Sequence, residues 1–262
     1  MSTHEHDDVV ARNRAYWEDL APHRKGEPVE FFQRGGSALT AHEIAAVGDL
    51  AGRRVLQLAC SVGDEALTFA SLGAEVTAVD ISPTHLATGR EKASELGISV
   101  EYLERDMNAL DDGVGEFDII YISWGGICWV PDLIAWTDRI ARRLVPGGRL
   151  VISEHHPLWE VLSVEDDAML SVSGDYFGIR RDGYVDPMKA PQVTRELCQP
   201  SLPHSSFVWS IGAVISAVLD AGLKVTSFQE FPEPDMYAGL GANAQSIPAT
   251  YLLGADRSRP PS

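Results

Sequence analysis

Short apolar runs alternate with longer segments of helical spacing between residues 53 and 153. The runs predict strands near Arg54–Ala59, Glu75–Val79, Val100–Glu104, Phe117–Ser123 and Arg149–Ser153. Between them, apolar positions three and four apart predict helices near Asp64–Leu72, Pro83–Leu96 and Pro131–Leu144. "VPGGRLVIS" reads as a helix stop, a turn and a buried strand. Alternation of this kind builds an α/β domain, with a mostly parallel sheet, helices on both faces and right-handed connections.

The flanks follow other rules. Residues 1–50 read as a helical cap: "NRAYWEDLAPHR" puts Tyr16, Trp17 and Leu20 at helical spacing, and a glycine pair precedes a short amphipathic helix. The α/β domain is expected over 51–255, with a lid or insertion after the fifth strand at about 156–206, where Pro, Gly, Asp and Ser replace any period. The rhythm resumes with a helix at Val208–Ala221, a strand near Lys224–Gln229 and a last strand at Ile247–Ala255. Residues 256–262 are expected to be a disordered tail.

Composition narrows the function classes. The formal charge is −17, with 38 acids against 21 bases, so a nucleic-acid partner is not expected. A neutral or cationic small molecule suits such a field better. No apolar segment approaches the ~20 residues that cross a bilayer, and the polar N-terminus lacks a signal-peptide pattern. Three scattered cysteines, Cys60, Cys128 and Cys198, make no disulfide framework, so a cytoplasmic location is expected. Monomer and homodimer stay open.

The stretch "VLQLACSVGDEALTFASLGAEVTAVDIS" (residues 55–82) carries the first chemistry. Ligands of open α/β sheets sit outside the strand carboxyl ends where strand order reverses. Small residues at Ala59, Cys60, Ser61 and Gly63 let backbone approach a ligand, and Asp80 ends the second strand, where a carboxylate can accept two ribose hydroxyls. A nicotinamide dinucleotide would share that acid but needs three glycines in register. Only Gly63 qualifies, and Asp64–Glu65 at the helix start would repel a pyrophosphate.

The stretch resembles the first motif of class I S-adenosylmethionine-dependent methyltransferases, in a bacterial small-molecule branch. "ERDMNAL", "FDIIYISWGGICWVPDL", "RRLVPGGRLVISEHHPLW", "NRAYWEDLAP", "QRGGSAL" and "WSIGAVISAVLDAGLKV" extend the resemblance over roughly residues 12–255. It implies a Rossmann-like, seven-stranded, mostly parallel sheet. It also implies S-adenosyl-L-methionine as cofactor and S-adenosyl-L-homocysteine as product. The implied cofactor contacts are Gln57, Ala59, Cys60, Ser61, Gly63, Asp80 and Ile81, with Asp106 accepting the adenine amino group beside Met107. Ser123 and Trp124 follow on the fourth strand, and Tyr16, Arg34 and Ser37 close over from the cap. The chain departs from the pattern at Gln57, where the first strand usually carries an acid, and at Ala59 and Ser61, which replace common glycines.

Methyl transfer is an in-line displacement, so the protein mainly positions the reactants and excludes water, with a base where the acceptor needs one. Candidate bases cluster in "SEHHPLWE": Glu154, His155 and His156. Alternation lets one histidine point inward, and the other reads as shaping the turn before Pro157. A metal is not expected, because no nearby Cys or acid completes a ligand set. Trp124, Trp129, Tyr176, Phe177 and Trp209 are candidate acceptor contacts, although Trp129 reads more readily as core and Trp124, next to the glycines, is the better candidate. The expected activity is methylation of an aromatic or heterocyclic small molecule of natural-product type at N, O or C, an indole-like ring carbon included. A non-methylating cofactor binder or cyclase would share the fold, and a nicotinamide oxidoreductase is the weakest rival.

Overall fold

The computed structural model describes residues 3–178, 181–184 and 202–259. A helix α1 (Thr3–Leu20) leads to two short helices, α2 (Val29–Gln33) and α3 (Ala41–Val47). Then come β1 (Arg54–Leu58), α4 (Asp64–Ser71), β2 (Glu75–Asp80), α5 (Pro83–Leu96), β3 (Glu101–Glu104), β4 (Phe117–Ile122), α6 (Leu133–Arg143) and β5 (Leu144–His155). A helical turn α7 (Pro157–Val161) and two ribbons follow: β6 (Leu162–Val164) with β7 (Leu170–Val172), and β8 (Arg181–Tyr184) with β9 (His204–Ser206). The chain closes with α8 (Ile211–Asp220), β10 (Leu223–Phe231) and β11 (Thr250–Arg257).

The main sheet has seven strands in the order β10-β11-β5-β4-β1-β2-β3. The pairs among β1 to β5 are parallel, and β11 runs antiparallel to both neighbours. This is the Rossmann-like sheet that the resemblance implies. Order reverses between β1 and β4, which opens a crevice at their carboxyl ends.

Each face of the sheet carries its own core. On one side α6 and α8 bury Trp136, Ile140, Val214 and Val218 against Leu56, Ile120 and Ile152. On the other, Phe69, Leu86 and the α3 segment cover Val55, Tyr121 and Val151. Burying a side chain of this size is worth roughly 1.5–3 kcal/mol, so these two layers fix the strand ends that hold the site. Local caps set the helix starts: Thr40 and Glu43 form a capping box on α3, and Ser82 caps α5. Glu43 also accepts the Tyr121 hydroxyl at 2.7 Å, which pins α3 to the sheet.

Of the boundaries that differ from expectation, two reshape the sheet. β5 starts at Leu144 rather than Arg149, because the chain pairs with Phe117 at once and absorbs the turn as a register shift before Arg149. The last strand runs on to Arg257, where Arg149 holds Asp256 through Nε–Oδ1 at 2.7 Å, so the first residues of the expected tail are strand. Much of the expected lid at 156–206, Cys198 included, lies outside the described residues, as does the tail from 260.

Candidate active site

β1 delivers the chain into the loop Ala59–Gly63. Ala59 and Ser61 adopt left-handed backbone, φ 49° and 50°, a conformation that glycine takes without strain. Gly63 (φ 80°) is required outright, since a Cβ there would sit 2.5 Å from the Tyr102 hydroxyl oxygen. Asp80 holds the loop in place: its Oδ2 accepts the Ser61 amide at 2.8 Å and its Oδ1 the Ser82 amide at 2.9 Å. Each oxygen keeps a lone pair for a further donor.

A cavity of about 460 Å³ opens along these strand ends. One end lies at Asp106, Met107 and Asn108, under α1. His6 Nε2 stands 3.0 Å from Asp106 Oδ2, while Asn108 bonds both Asp106 and the Trp129 carbonyl. Tyr16 and Trp17 of α1 pack on Trp129 with ring centroids 5.9 and 5.2 Å apart. Glu18 ties the same helix to Ser82 and Thr84 at the start of α5.

In the middle stand Ala59, Ser61, Asp80, Ile81 and Ser123. Arg24 joins them, its Nε donating to Ser61 Oγ at 2.9 Å and its guanidinium lying 5.5 Å from the Trp17 ring centroid. Beneath the wall, Gln57 Nε2 donates to Glu65 Oε2 at 3.2 Å and Ser123 Oγ to Glu65 Oε1 at 3.0 Å.

The far end is aromatic. Trp124, His155 and Trp159 line it, with ring centroids 5.8 Å (Trp124–His155) and 4.8 Å (His155–Trp159) apart. Met236 and Glu160 complete the wall, and Trp124 Nε1 is anchored on Ser153 Oγ at 3.1 Å. Burial, with the Arg24 charge nearby, pushes the His155 imidazole down to about 4, so it is neutral around pH 7.

The expected site residues separate on this geometry. Tyr16, Ala59, Ser61, Asp80, Ile81, Asp106, Met107, Ser123, Trp124, Trp129 and His155 line the cavity. Trp129 does so near Asp106, where Asn108 holds its carbonyl and Tyr16 packs on its ring. Gln57, Cys60 and Gly63 support the loop from behind and do not line it. Arg34 and Ser37 close local turns instead, on Glu30 and Leu39.

Among the bases, His156 turns away from the cavity. Its Nδ1 accepts the Leu158 amide at 3.1 Å, and its Nε2 donates to Glu230 at 2.9 Å. Glu154 is buried with its carboxylate on the Gly125, Ile127 and His155 amides, so it clamps the β4 loop to β5 and does not face the cavity. Burial raises its pKa to about 7. Trp209 donates to the Val130 carbonyl at 2.9 Å and packs in the core. Tyr176 meets the α8 amide of Ile211, and Phe177 is 81% exposed, so neither lines the cavity. Arg24, His85, Trp159 and Met236 line it without having been anticipated. Trp159 stands inside the "SEHHPLWE" segment on α7 and His85 on α5, where nothing local distinguishes them from packing residues, and Arg24 and Met236 are brought in by tertiary packing.

The residues present fit S-adenosylmethionine. Two carboxylates, Asp80 and Asp106, and one guanidinium, Arg24, line the same cavity, a donor and acceptor set that suits an adenosyl group carrying an amino-acid end. Lys92 at 2.6 Å offsets the Asp64 charge at the α4 start, so Glu65 alone of the two acids still disfavours a pyrophosphate there.

Comparison with known proteins agrees. Residues 55–148 match the family model described as a methyltransferase domain. Over that segment the chain is similar to a methyltransferase domain. A demethylmenaquinone methyltransferase of Thermus thermophilus is 39% identical over 109 residues, 41% of this chain and 49% of that protein. The chain thus spans about half the length of that curated relative. Among solved structures, an S-adenosylmethionine-dependent methyltransferase of Mesorhizobium loti aligns with a TM-score of 0.61 at 18% identity, covering 89% of this chain and all (100%) of that one. The cyclase SpnF aligns with a TM-score of 0.61 at 16% identity, covering 96% and 98% of the two chains. At these identities the likenesses show the fold alone, the Rossmann-like sheet described above. Among the described residues, no helix is long and apolar enough to cross a membrane.

Proposed function

We propose that the protein methylates a flat aromatic or heterocyclic small molecule using S-adenosylmethionine. One observation carries this reading: a single cavity runs from Asp106 and Asp80 to a neutral histidine framed by Trp124 and Trp159. The cofactor, when bound, supplies an electrophilic methyl on a sulfonium. Asp80 would hold the ribose hydroxyls, Asp106 and Met107 the adenine, and Arg24 the methionyl carboxylate. Trp124 and Trp159 would orient the acceptor ring and exclude water.

His155 narrows the acceptor atom. A base of pKa about 4 cannot strip a proton from an alkylammonium ion. It can take one from a phenol as its oxygen is alkylated, or from a ring carbon that has just gained a methyl, because both become strongly acidic. Oxygen and ring carbon are therefore the acceptor atoms proposed, an indole-like ring included. The Thermus relative, named for a quinone precursor, supports a ring substrate.

Incubation with methyl-labelled S-adenosylmethionine and a panel of phenols, enols and indoles, read by mass spectrometry, tests the reading. Label is expected in product. Tight cofactor binding with an unlabelled, rearranged product would instead mark a cyclase, the reaction that names SpnF. A thermal shift with NAD and none with S-adenosylhomocysteine would overturn the cofactor assignment.

A further inference from the structure

Gln57 occupies the strand position where an acid is usual in the resembling family, and the structure shows a replacement. The Gln57 side chain is wholly buried, and it directs its amide N–H to Glu65 Oε2 at 3.2 Å. The other carboxylate oxygen of Glu65 accepts Ser123 Oγ at 3.0 Å. A serine hydroxyl has one proton, so Ser123 keeps its lone pairs for a donor in the cavity that it lines. An acid at 57 would stand against Glu65 at hydrogen-bond distance, and two carboxylates that close repel. Glutamine and Glu65 therefore belong together: the amide both removes the repulsion and orients the carboxylate.

Across the same cavity, Arg24 is fixed on Ser61 Oγ at 2.9 Å. The middle of the cavity thus has a cation on one serine and an anion behind another. That pairing suits a zwitterionic α-amino acid terminus. We propose that Glu65, acting through Ser123, supplies the negative charge that Gln57 lacks and holds the ammonium of the cofactor's methionyl group. The proposal rests on the cofactor reading above. Glu65 is a positioning residue, and burial, which pushes its carboxyl pKa upward, makes it sensitive to a positive partner.

Two ligands separate this role from scaffolding. S-adenosylhomocysteine carries the amino-acid end, whereas 5′-methylthioadenosine lacks it and shares the adenosyl part. By calorimetry, Glu65→Gln is expected to weaken S-adenosylhomocysteine about tenfold or more, the loss of a charge-assisted contact. Methylthioadenosine affinity is expected to stay unchanged. Gln57→Glu alone is expected to be harmful, and the exchange Gln57→Glu with Glu65→Gln to restore S-adenosylhomocysteine binding. Equal weakening of both ligands by Glu65→Gln, or no weakening of either, would overturn the proposal. Should Glu65→Gln fail to fold, Ser123→Ala carries the same test: selective loss of S-adenosylhomocysteine supports the relay, and equal loss overturns it. Wild-type protein that binds no S-adenosylhomocysteine would overturn the cofactor reading together with this one. Wild-type binding that Glu65→Gln leaves intact sinks the relay alone.

Discussion

Asp80 and His155 both stand at strand carboxyl ends and face one cavity, yet they are held in opposite ways. Asp80 is tied by two backbone amides within its own βαβ unit, Ser61 and Ser82. His155 is placed from outside: its neighbours come from the β4 loop (Trp124), from α7 (Trp159) and from the loop bearing Met236. Local hydrogen bonding thus builds the proposed cofactor end, and tertiary packing builds the proposed acceptor end. Substitutions at the first should therefore show in binding, and at the second in turnover.

The largest effect is expected at Asp80. Asp80→Ala removes the acceptor of two amides and the proposed ribose contact. At roughly 1.5–3 kcal/mol per hydrogen bond to a charged group, S-adenosylhomocysteine affinity should fall on the order of a hundredfold or more. Calorimetry would show it, with a lower melting temperature beside it. An unchanged affinity would remove Asp80 from the cofactor end.

The counterpart is His155→Gln. Loss of a proton acceptor is expected to lower kcat about 10²–10⁴-fold while S-adenosylhomocysteine affinity barely moves. The pH profile sharpens this. Burial disfavours the imidazolium, so kcat/KM of the wild type should stay level down through pH 6.5 and fall only toward about 4. A break near 6.5 would assign the titration to a different group. His156→Ala should spare turnover and reduce stability, because that ring bonds Leu158 and Glu230.

Glu154 tests the clamp between the two ends. Its carboxyl pKa is raised from 4.5 to about 7 by burial. The folded state therefore holds the proton more tightly than the unfolded chain, and this stability is fully present below about pH 4.5. It declines as pH rises through about 7, by roughly 3 kcal/mol in all. In Glu154→Gln that decline should vanish. Urea midpoints should therefore show the wild type losing stability relative to the variant between pH 5 and 7.5, whereas a constant offset would count against the buried clamp.

What was legible in the sequence follows the same divide. The alternating pattern could be read, and Asp80, Asp106 and the small-residue loop could be placed at the cavity, because each lies within a few residues of its own strand. Alternation also limited the two histidines to one inward ring, but choosing His155 needed the α7 cap that occupies His156. Arg24 left no local signal, and Trp159, though inside the "SEHHPLWE" segment, carried none that set it apart from a core aromatic. Arg24 reaches Ser61 across 37 residues of chain, and Trp159 is aimed by the Met236 carbonyl 77 residues away. Arg34 and Ser37 were credited because they sit in a motif, while their side chains serve their own turn. Gln57 was legible as a departure, and its partner was hidden because the compensating acid lies on the following helix.

The smallest effect compares two strained residues in the cofactor loop. Ala59 and Ser61 share the left-handed conformation, at φ 49° and 50°. Glycine at either site relieves strain of about 1–2 kcal/mol, partly offset by the greater freedom glycine gives the unfolded chain. Ala59→Gly should therefore raise stability by up to about 1 kcal/mol and leave S-adenosylhomocysteine binding as it was. Ser61→Gly brings the same backbone relief but deletes the hydroxyl that holds Arg24. It should stabilise less and weaken S-adenosylhomocysteine, while methylthioadenosine, which has no carboxylate, binds as before. If the two glycine variants behave alike toward both ligands, Arg24 is not held in place by Ser61 for the carboxylate, and the cation must act elsewhere in the cavity.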